Sequence, residues 1–131
     1  MKLKYQEELG SIENCPVENI KGEITLFRCV ESPMDENSFI PNAVLLKPKY
    51  QQNCMAWGLS LFRNYNTAKQ MLNNLSKKKL VKYSDVAKGI LTDEDGVKNC
   101  NKKSKKHYTF YPKENLDIVS KFAIVQDYEN E

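Results

Sequence analysis

The sequence predicts an α+β fold, with residues 1–131 forming a single domain around a mostly antiparallel sheet of about five strands. Several short runs of β-branched and aromatic residues are separated by single prolines and glycines, which is typical of such a sheet. Only residues 66–79 have the apolar spacing of an amphipathic helix, so we expect one firm helix. A chain of 131 residues is long enough to bury one core without a metal or a disulfide.

The strands are predicted from composition and alternation. Residues 23–30, EITLFRCV, carry largely apolar side chains on both alternating faces, which indicates a central strand. The other predicted strands are residues 55–62, 85–91, 107–111 and 121–126, with a turn at residues 92–96 and Pro112 closing the fourth strand. Because strands and helix do not alternate strictly, the order favours an antiparallel sheet over a parallel one.

Three prolines interrupt the connection of residues 31–52, which is therefore expected to wrap the surface. We expect four of its apolar side chains to turn inward, namely Phe39, Ile40, Val44 and Leu45. Long ordered connections are often functional, so this segment is of interest beyond its length.

The predicted helix over residues 66–79 repeats its apolar side chains at the spacing of one helical turn. An asparagine, either Asn64 or Asn66, is placed to cap its N-terminus, and lysines follow at the negative end of the helix dipole. The stripe expected to pack on the sheet consists of Ala68, Met71, Leu72 and Leu75.

The cysteines and the N-terminal residues are the basis for predicting the cellular compartment of the protein. No C-x-x-C pair occurs, so neither a zinc site nor a redox motif is indicated, and no metal is expected. The first ten residues lack the apolar core of a signal peptide, and no apolar run is long enough to span a membrane. Lysine-heavy, asparagine-rich usage points to a bacterial source. We expect a cytoplasmic protein with four free thiols, at Cys15, Cys29, Cys54 and Cys100.

The charge distribution argues against nucleic acid as the partner. The net charge is only +3, and eighteen of the twenty basic residues are lysine. A dedicated nucleic-acid binder usually has a higher isoelectric point and a continuous basic face. Lysine also suits solvated charge better than bidentate phosphate recognition.

The stretch KKSKKHYTFYP, residues 102–112, contains the only histidine, His107. On a strand, His107, Thr109 and Tyr111 share one face, while Tyr108 and Phe110 share the other. The pattern favours a half-buried strand whose polar face borders a small cleft. Its basic and aromatic residues also echo the strand with which RNA-recognition motifs stack bases, although the glycines of that motif are absent.

Arg28 is the second singular residue, because alternation places its guanidinium on the same face as Leu26 and Val30. A buried arginine needs a carboxylate partner or an anion-binding cleft, since an unpaired buried charge is costly. Alternatively, its stem packs at the strand end and its head reaches water. Arg28, His107 and Tyr111 are the candidates for binding an anion or a nucleotide.

An arginine ending an early strand, then a strand carrying Ser60, then a helix, resembles the layout of ADP-ribosyltransferases. The resemblance covers about half the chain and implies that Arg28 and Ser60 position NAD, with Gln126 at the place of the late carboxylate. It implies an NAD- or nucleotide-processing enzyme, for which Arg28, Ser60 and His107 are the candidate catalytic residues.

No other motif points to catalysis. The acidic turn DEDG lacks the remaining calcium ligands, and neither a G-x-S-x-G nor a phosphate-binding glycine loop occurs. The sequence therefore favours a cytoplasmic bacterial binding or accessory protein that uses no cofactor and contacts another protein or a small anionic ligand. The NAD enzyme and an RNA-binding module are the alternatives, and whether the chain is an enzyme stays open.

Overall fold

Six strands form one antiparallel sheet in the computed structural model, which describes residues 1–16, 19–76, 83–101, 103–104 and 106–126. The α+β prediction is confirmed. In chain order the strands are β1 (Ile24–Val30), β2 (Leu59–Phe62), β3 (Asp85–Leu91), β4 (Gly96–Cys100), β5 (His107–Pro112) and β6 (Phe122–Ile124). They lie in the order β4-β5-β2-β1-β3-β6, so the predicted central position of β1 is also confirmed.

Within the described residues, the helices are α1 (Gln6–Gly10), α2 (Asn42–Leu45) and α3 (Tyr65–Ser76), with 3-10 turns at Glu36–Phe39, Cys54–Trp57 and Val119–Lys121. The 3-10 turn at Cys54–Trp57 corrects the predicted strand over residues 55–62, of which only the last four residues are extended. The side chain of Asn53 accepts the Met55 N–H at 3.0 Å, which starts that turn.

The sequence did not predict β4, whose residues GVKNC include only one β-branched side chain. This strand is extended because all five of its residues pair with β5, from Gly96 opposite Pro112 to Cys100 opposite Tyr108. Because this pairing depends on the partner strand, the residues of β4 themselves contain little that predicts a strand.

Helix α3 confirms part of the predicted stripe. Ala68 and Leu72 are buried against the sheet, whereas Met71 is 38% exposed and Leu75 is half-buried. The helix packs along the narrow line that Ala68 and Leu72 share, so Met71 turns towards solvent and its predicted burial is wrong. Asn64 provides the cap, accepting the Thr67 N–H at 2.9 Å. Residues 77–79 of the predicted helix lie outside the described part of the chain.

The sheet has one apolar cluster on its first face and two on its second. The first face is built around Leu26, Val30, Leu61 and Phe110 from three strands, and it is closed by Phe39 and Phe122. On the second face, α3 covers one cluster, consisting of Phe27, Cys29, Phe62, Ala68, Leu72, Val86 and Val125. The N-terminal residues and the 42–57 segment cover the other, consisting of Leu3, Leu9, Ala43, Trp57 and Tyr111.

The connection between β1 and β2 wraps the surface as expected, but the burial of two of its side chains differs from the prediction. Phe39 is buried and Ile40 is half-buried, as predicted. Val44 and Leu45 are 37% and 50% exposed, so their predicted burial is wrong. The physical reason is that α2 is a single turn whose inward position belongs to Ala43.

Cys15 and Cys54 form a disulfide, with their Cα atoms 5.7 Å apart. The prediction of four free thiols is therefore wrong, and Cys29 and Cys100 are the two cysteines outside this bond. The bond joins the chain after α1 to the 3-10 turn before β2, two segments that are 39 residues apart. In the part of the chain that the structure describes, no helix is both long and apolar enough to cross a membrane.

Candidate functional site

A polar strip lies on the second face of the sheet, between its two apolar clusters. Ser60 on β2 pairs with Thr109 on β5, and Phe62 pairs with His107. Phe62 belongs to the α3 cluster and Tyr111 to the N-terminal cluster, so the polar side chains of Ser60, His107 and Thr109 are left between them.

This strip is the floor of an open cleft with a volume of about 310 Å³, which is at the lower end of ligand sites. The wall comes from the segment between β1 and β2. Its lining residues are Asn42, Leu46, Tyr50, Asn53, Met55 and Ala56. The cleft thus combines hydrogen-bonding groups on rigid strands with large apolar side chains at its edge.

Ser60 and His107 are in direct contact, with Oγ and Nε2 separated by 2.6 Å. The imidazole packs edge-on against Phe62, with the ring centroids 5.5 Å apart, and is half-buried. Burial lowers the pKa of His107 below its usual value of 6.5. The ring is therefore uncharged at neutral pH.

Asn101 selects the tautomer of that ring. Its Oδ1 accepts the backbone N–H of Lys103 at 2.8 Å, which leaves the amide nitrogen facing His107 Nδ1 at 3.5 Å. This contact favours Nδ1 as the acceptor. In that tautomer Nε2 carries the proton and donates to Ser60 Oγ.

Arg28 lies on the opposite face of the sheet and is only 6% exposed. Its Nε donates to the carbonyl of Ser38 at 2.8 Å and its Nη1 to the carbonyl of Ser60 at 2.9 Å. The guanidinium carbon lies 5.7 Å from the centre of the Phe39 ring. No carboxylate of the described residues lies within ion-pair distance, and burial lowers the pKa of the guanidinium.

Ser60 and His107 therefore converge at the cleft, whereas Arg28 touches Ser60 only through its backbone. Tyr111 does not line the cleft either. It is 2% exposed, and its hydroxyl donates to the carbonyl of Cys54 at 3.2 Å, behind the wall. Burial raises the pKa of Tyr111 to about 12. Gln126, the position offered by the ADP-ribosyltransferase layout, is exposed after the end of β6.

The described ranges contain no group of metal ligands, and a second cavity there is small. No three histidine, cysteine, aspartate or glutamate side chains there are grouped so as to hold a metal ion. A second cavity, between Tyr5, Phe39 and Trp57, measures about 20 Å³, which is space for about one water molecule.

The sequence placed two residues of the cleft floor on one face of a strand, but it did not indicate which residues form the wall. Strand alternation already placed His107 and Thr109 on one face. Nothing in the sequence indicated that Leu46, Tyr50 and Met55 line a cleft, because an apolar residue in an irregular segment is normally expected to be buried. Comparison with family models, with curated proteins and with solved structures found no match to this chain.

Proposed function

We propose that the protein is a binding protein without catalysis of its own, and that the cleft takes an uncharged part of its ligand. The expected ligand group has an apolar body and a hydrogen-bond acceptor, such as a carbonyl. The observation that carries this proposal is the 2.6 Å contact between Ser60 and His107 at the floor of the cleft.

The hydrogen-bond direction supports an acceptor on the ligand. Because His107 Nε2 donates to Ser60 Oγ, the hydroxyl keeps its own proton for another partner. Ser60 is exposed, so that proton is directed to solvent or to a ligand in the cleft. Both side chains stand on paired strands, which holds the donor in place before binding.

The wall supports an apolar body on the ligand. Leu46, Tyr50 and Met55 are 47%, 50% and 45% exposed, although large apolar side chains gain about 25 cal/mol for each Å² removed from water. Tyr50 also adopts a left-handed backbone conformation, with φ of 65°, which is uncommon for a residue other than glycine. Backbone outliers of this kind are enriched at ligand sites.

The alternatives have less support. Of the residues that the structure describes, no charged side chain lines the cleft, and the pKa of His107 is lowered, which favours an uncharged group over an anion. For an NAD enzyme, the guanidinium of Arg28 would have to reach the cleft from the opposite face of the sheet. For an RNA-binding module, Tyr108 and Phe110 would have to stack on bases, but both are buried in the core.

A bacterial source and a cytoplasmic location belong to the proposal, and the alternative location is an oxidising compartment. The disulfide between Cys15 and Cys54 is typical of an oxidising compartment. Alkylation of free thiols during extraction from the native source decides between them: four modified cysteines support the cytoplasm, and two support the other location.

The binding proposal is tested with N-acetyl-leucine amide and N-acetyl-phenylalanine amide as probes, observed by NMR of the amide groups. We expect saturable shifts at Ser60, His107 and Thr109, with dissociation constants of about 1 mM, as is usual for ligands this small. The shifts should be lost in Ser60→Ala and retained in Ser120→Ala, whose exposed serine lies far along the chain in the last 3-10 turn.

Two results contradict the proposal. The first is the absence of saturable shifts at the cleft with either probe. The second is esterase activity on p-nitrophenyl acetate that disappears in Ser60→Ala, because this would make Ser60 a nucleophile and the protein an enzyme.

A further inference from the structure

We propose that the partner is a protein segment with an apolar anchor side chain flanked by acidic residues. This inference rests on the proposed binding function and adds the chemical class of the partner. In this arrangement the anchor enters the cleft, a backbone carbonyl beside it accepts from Ser60, and the flanking carboxylates reach the cations along the wall of the cleft.

Two exposed lysines, Lys47 and Lys49, adjoin the cleft, and we call them the cationic rim. They lie between the lining residues Leu46 and Tyr50. Arg63 and Lys106 extend the Phe62–His107 pair by one residue each, and the Arg63 N–H donates to the Lys106 carbonyl at 2.8 Å. Because successive side chains of a strand leave on opposite faces, these two residues belong to the face of Tyr108, with which Arg63 interacts electrostatically. The cationic rim therefore lies along the wall, on one side of the cleft.

No ion pair among the described residues neutralises this charge. Among the residues that the structure describes, the ion pairs are Lys2–Glu114, Lys98–Asp93 and Lys121–Asp95, and none includes a member of the cationic rim. The wall segment, residues 42–56, contains no aspartate or glutamate. A concentration of unpaired positive charge attracts an acidic partner and speeds its association.

The apolar surface explains why charge alone is not the recognition element. Five of the exposed large apolar side chains follow one another along the wall segment: Val44, Leu45, Leu46, Tyr50 and Met55. Exposed apolar groups of this kind mark interaction surfaces when they are contiguous and rimmed by polar residues. Among the described lining residues, Tyr50 is the only Tyr, Phe or Trp side chain, whereas proteins that bind single-stranded RNA stack successive bases on several. The surface therefore fits an acidic peptide better than RNA.

The test compares three pentapeptides, acetylated and amidated, that share a central leucine: EDLDE, QNLNQ and KKLKK. At about 0.05 M salt we expect EDLDE to bind about tenfold more tightly than QNLNQ, and KKLKK more weakly than both. At about 0.3 M salt the advantage of EDLDE should fall to about threefold or less, because the Debye length shortens. Amide NMR shifts at Ser60 and Thr109 report that each peptide occupies the cleft.

Charge-reversal variants connect the preference to the cationic rim. Lys47→Glu combined with Lys49→Glu should remove the advantage of EDLDE while QNLNQ binds as before. The matched control is Lys21→Glu combined with Lys88→Glu, which makes the same change in net charge at exposed lysines outside the lining and should keep the advantage. Arg63→Glu combined with Lys106→Glu is a second control, because these residues belong to the other face of the sheet, and it should also keep the advantage.

The outcomes separate this inference from the proposed function. Equal binding of EDLDE and QNLNQ at the cleft overturns the acidic partner and leaves the binding function standing. Failure of all three peptides and of the N-acetyl amides overturns both. An acidic preference that survives in the variant Lys47→Glu/Lys49→Glu also overturns the inference, as does an oligouridylate that displaces QNLNQ from the cleft at a lower concentration than EDLDE does.

Discussion

Arg28 and Ser60 are joined through a backbone carbonyl and separated by the sheet. The guanidinium of Arg28 donates to the Ser60 carbonyl at 2.9 Å from one face, and the Ser60 hydroxyl contacts His107 on the other. The register between β1 and β2 contains a single residue pair, Phe27 with Phe62. Arg28 therefore supplies a hydrogen bond where the ladder between the two strands is open, and it positions the strand that carries the cleft floor.

Replacement of Arg28 by alanine should lower the free energy of unfolding by about 3 kcal/mol or more, since hydrogen bonds to charged groups are each worth about 1.5–3 kcal/mol. Two buried carbonyls lose their donor in this variant. Urea denaturation measures the change. The control is Arg63→Ala at an exposed position, which should change the free energy by about 0.5 kcal/mol or less. An Arg28→Ala variant as stable as the original chain would show that the two hydrogen bonds of Arg28 do not contribute to the free energy of unfolding.

Leu72 and Met71 are neighbours on α3 with different burial. Leu72→Ala should cost about 2–5 kcal/mol, because it removes a side chain that is only 5% exposed in the cluster beneath the helix. Met71→Ala should cost about 1 kcal/mol or less, because Met71 is 38% exposed. Denaturation midpoints at equal slope measure both. A larger loss for Met71 than for Leu72 would mean that the helix packs in a different phase.

His107 should make the fold less stable in mild acid. Its pKa in the folded chain is below the usual value of 6.5, so between these two values the unfolded chain binds more protons. The stabilisation is complete above pH 6.5 and is lost as the pH falls through the folded-state pKa. Unfolding free energies from about pH 7.5 to about pH 5 should fall in the original chain and stay level in His107→Gln. His107 is the only histidine, so no other imidazole interferes.

The shifted carboxyl groups act in a different pH range. A hydrogen bond from Lys98 lowers the pKa of Asp93. Burial acts to raise the pKa of Asp95, but the Thr92 N–H and Lys121 outweigh it and the net pKa is lowered. Their contribution is lost only as the pH falls below the usual carboxyl value of 3.8. A loss of stability between pH 7.5 and 5 that persists in His107→Gln would therefore contradict the assignment to His107.

The disulfide between Cys15 and Cys54 should stabilise the fold by about 2–4 kcal/mol, because it closes a long loop in the unfolded chain. The double variant Cys15→Ser/Cys54→Ser should lose this amount. Adding a reductant should lower the stability of the original chain to that of the variant and leave the variant unchanged. Titration of the denatured, oxidised protein should find two thiols, and a count of four would contradict the bond.

Local patterns in the sequence determined β1, β5 and the core of α3. In β1 the apolar side chains on both faces can be read from the sequence without a partner strand. In α3 the apolar residues Ala68 and Leu72 are about one helical turn apart. The same alternation placed His107 and Thr109 on one face of β5. These features depend on residues a few positions apart, so their physical cause lies within the segment itself.

Tertiary structure alone decided which of these residues meet. Ser60 and His107 are 47 positions apart, and only the register of β2 against β5 brings their side chains to 2.6 Å. The pairing of Phe27 with Phe62 turned Arg28 away from the cleft, because side chains of successive residues leave a sheet on opposite faces. The disulfide and β4 likewise depend on distant partners, since spacing along the chain carries no information on which cysteines or strands become neighbours.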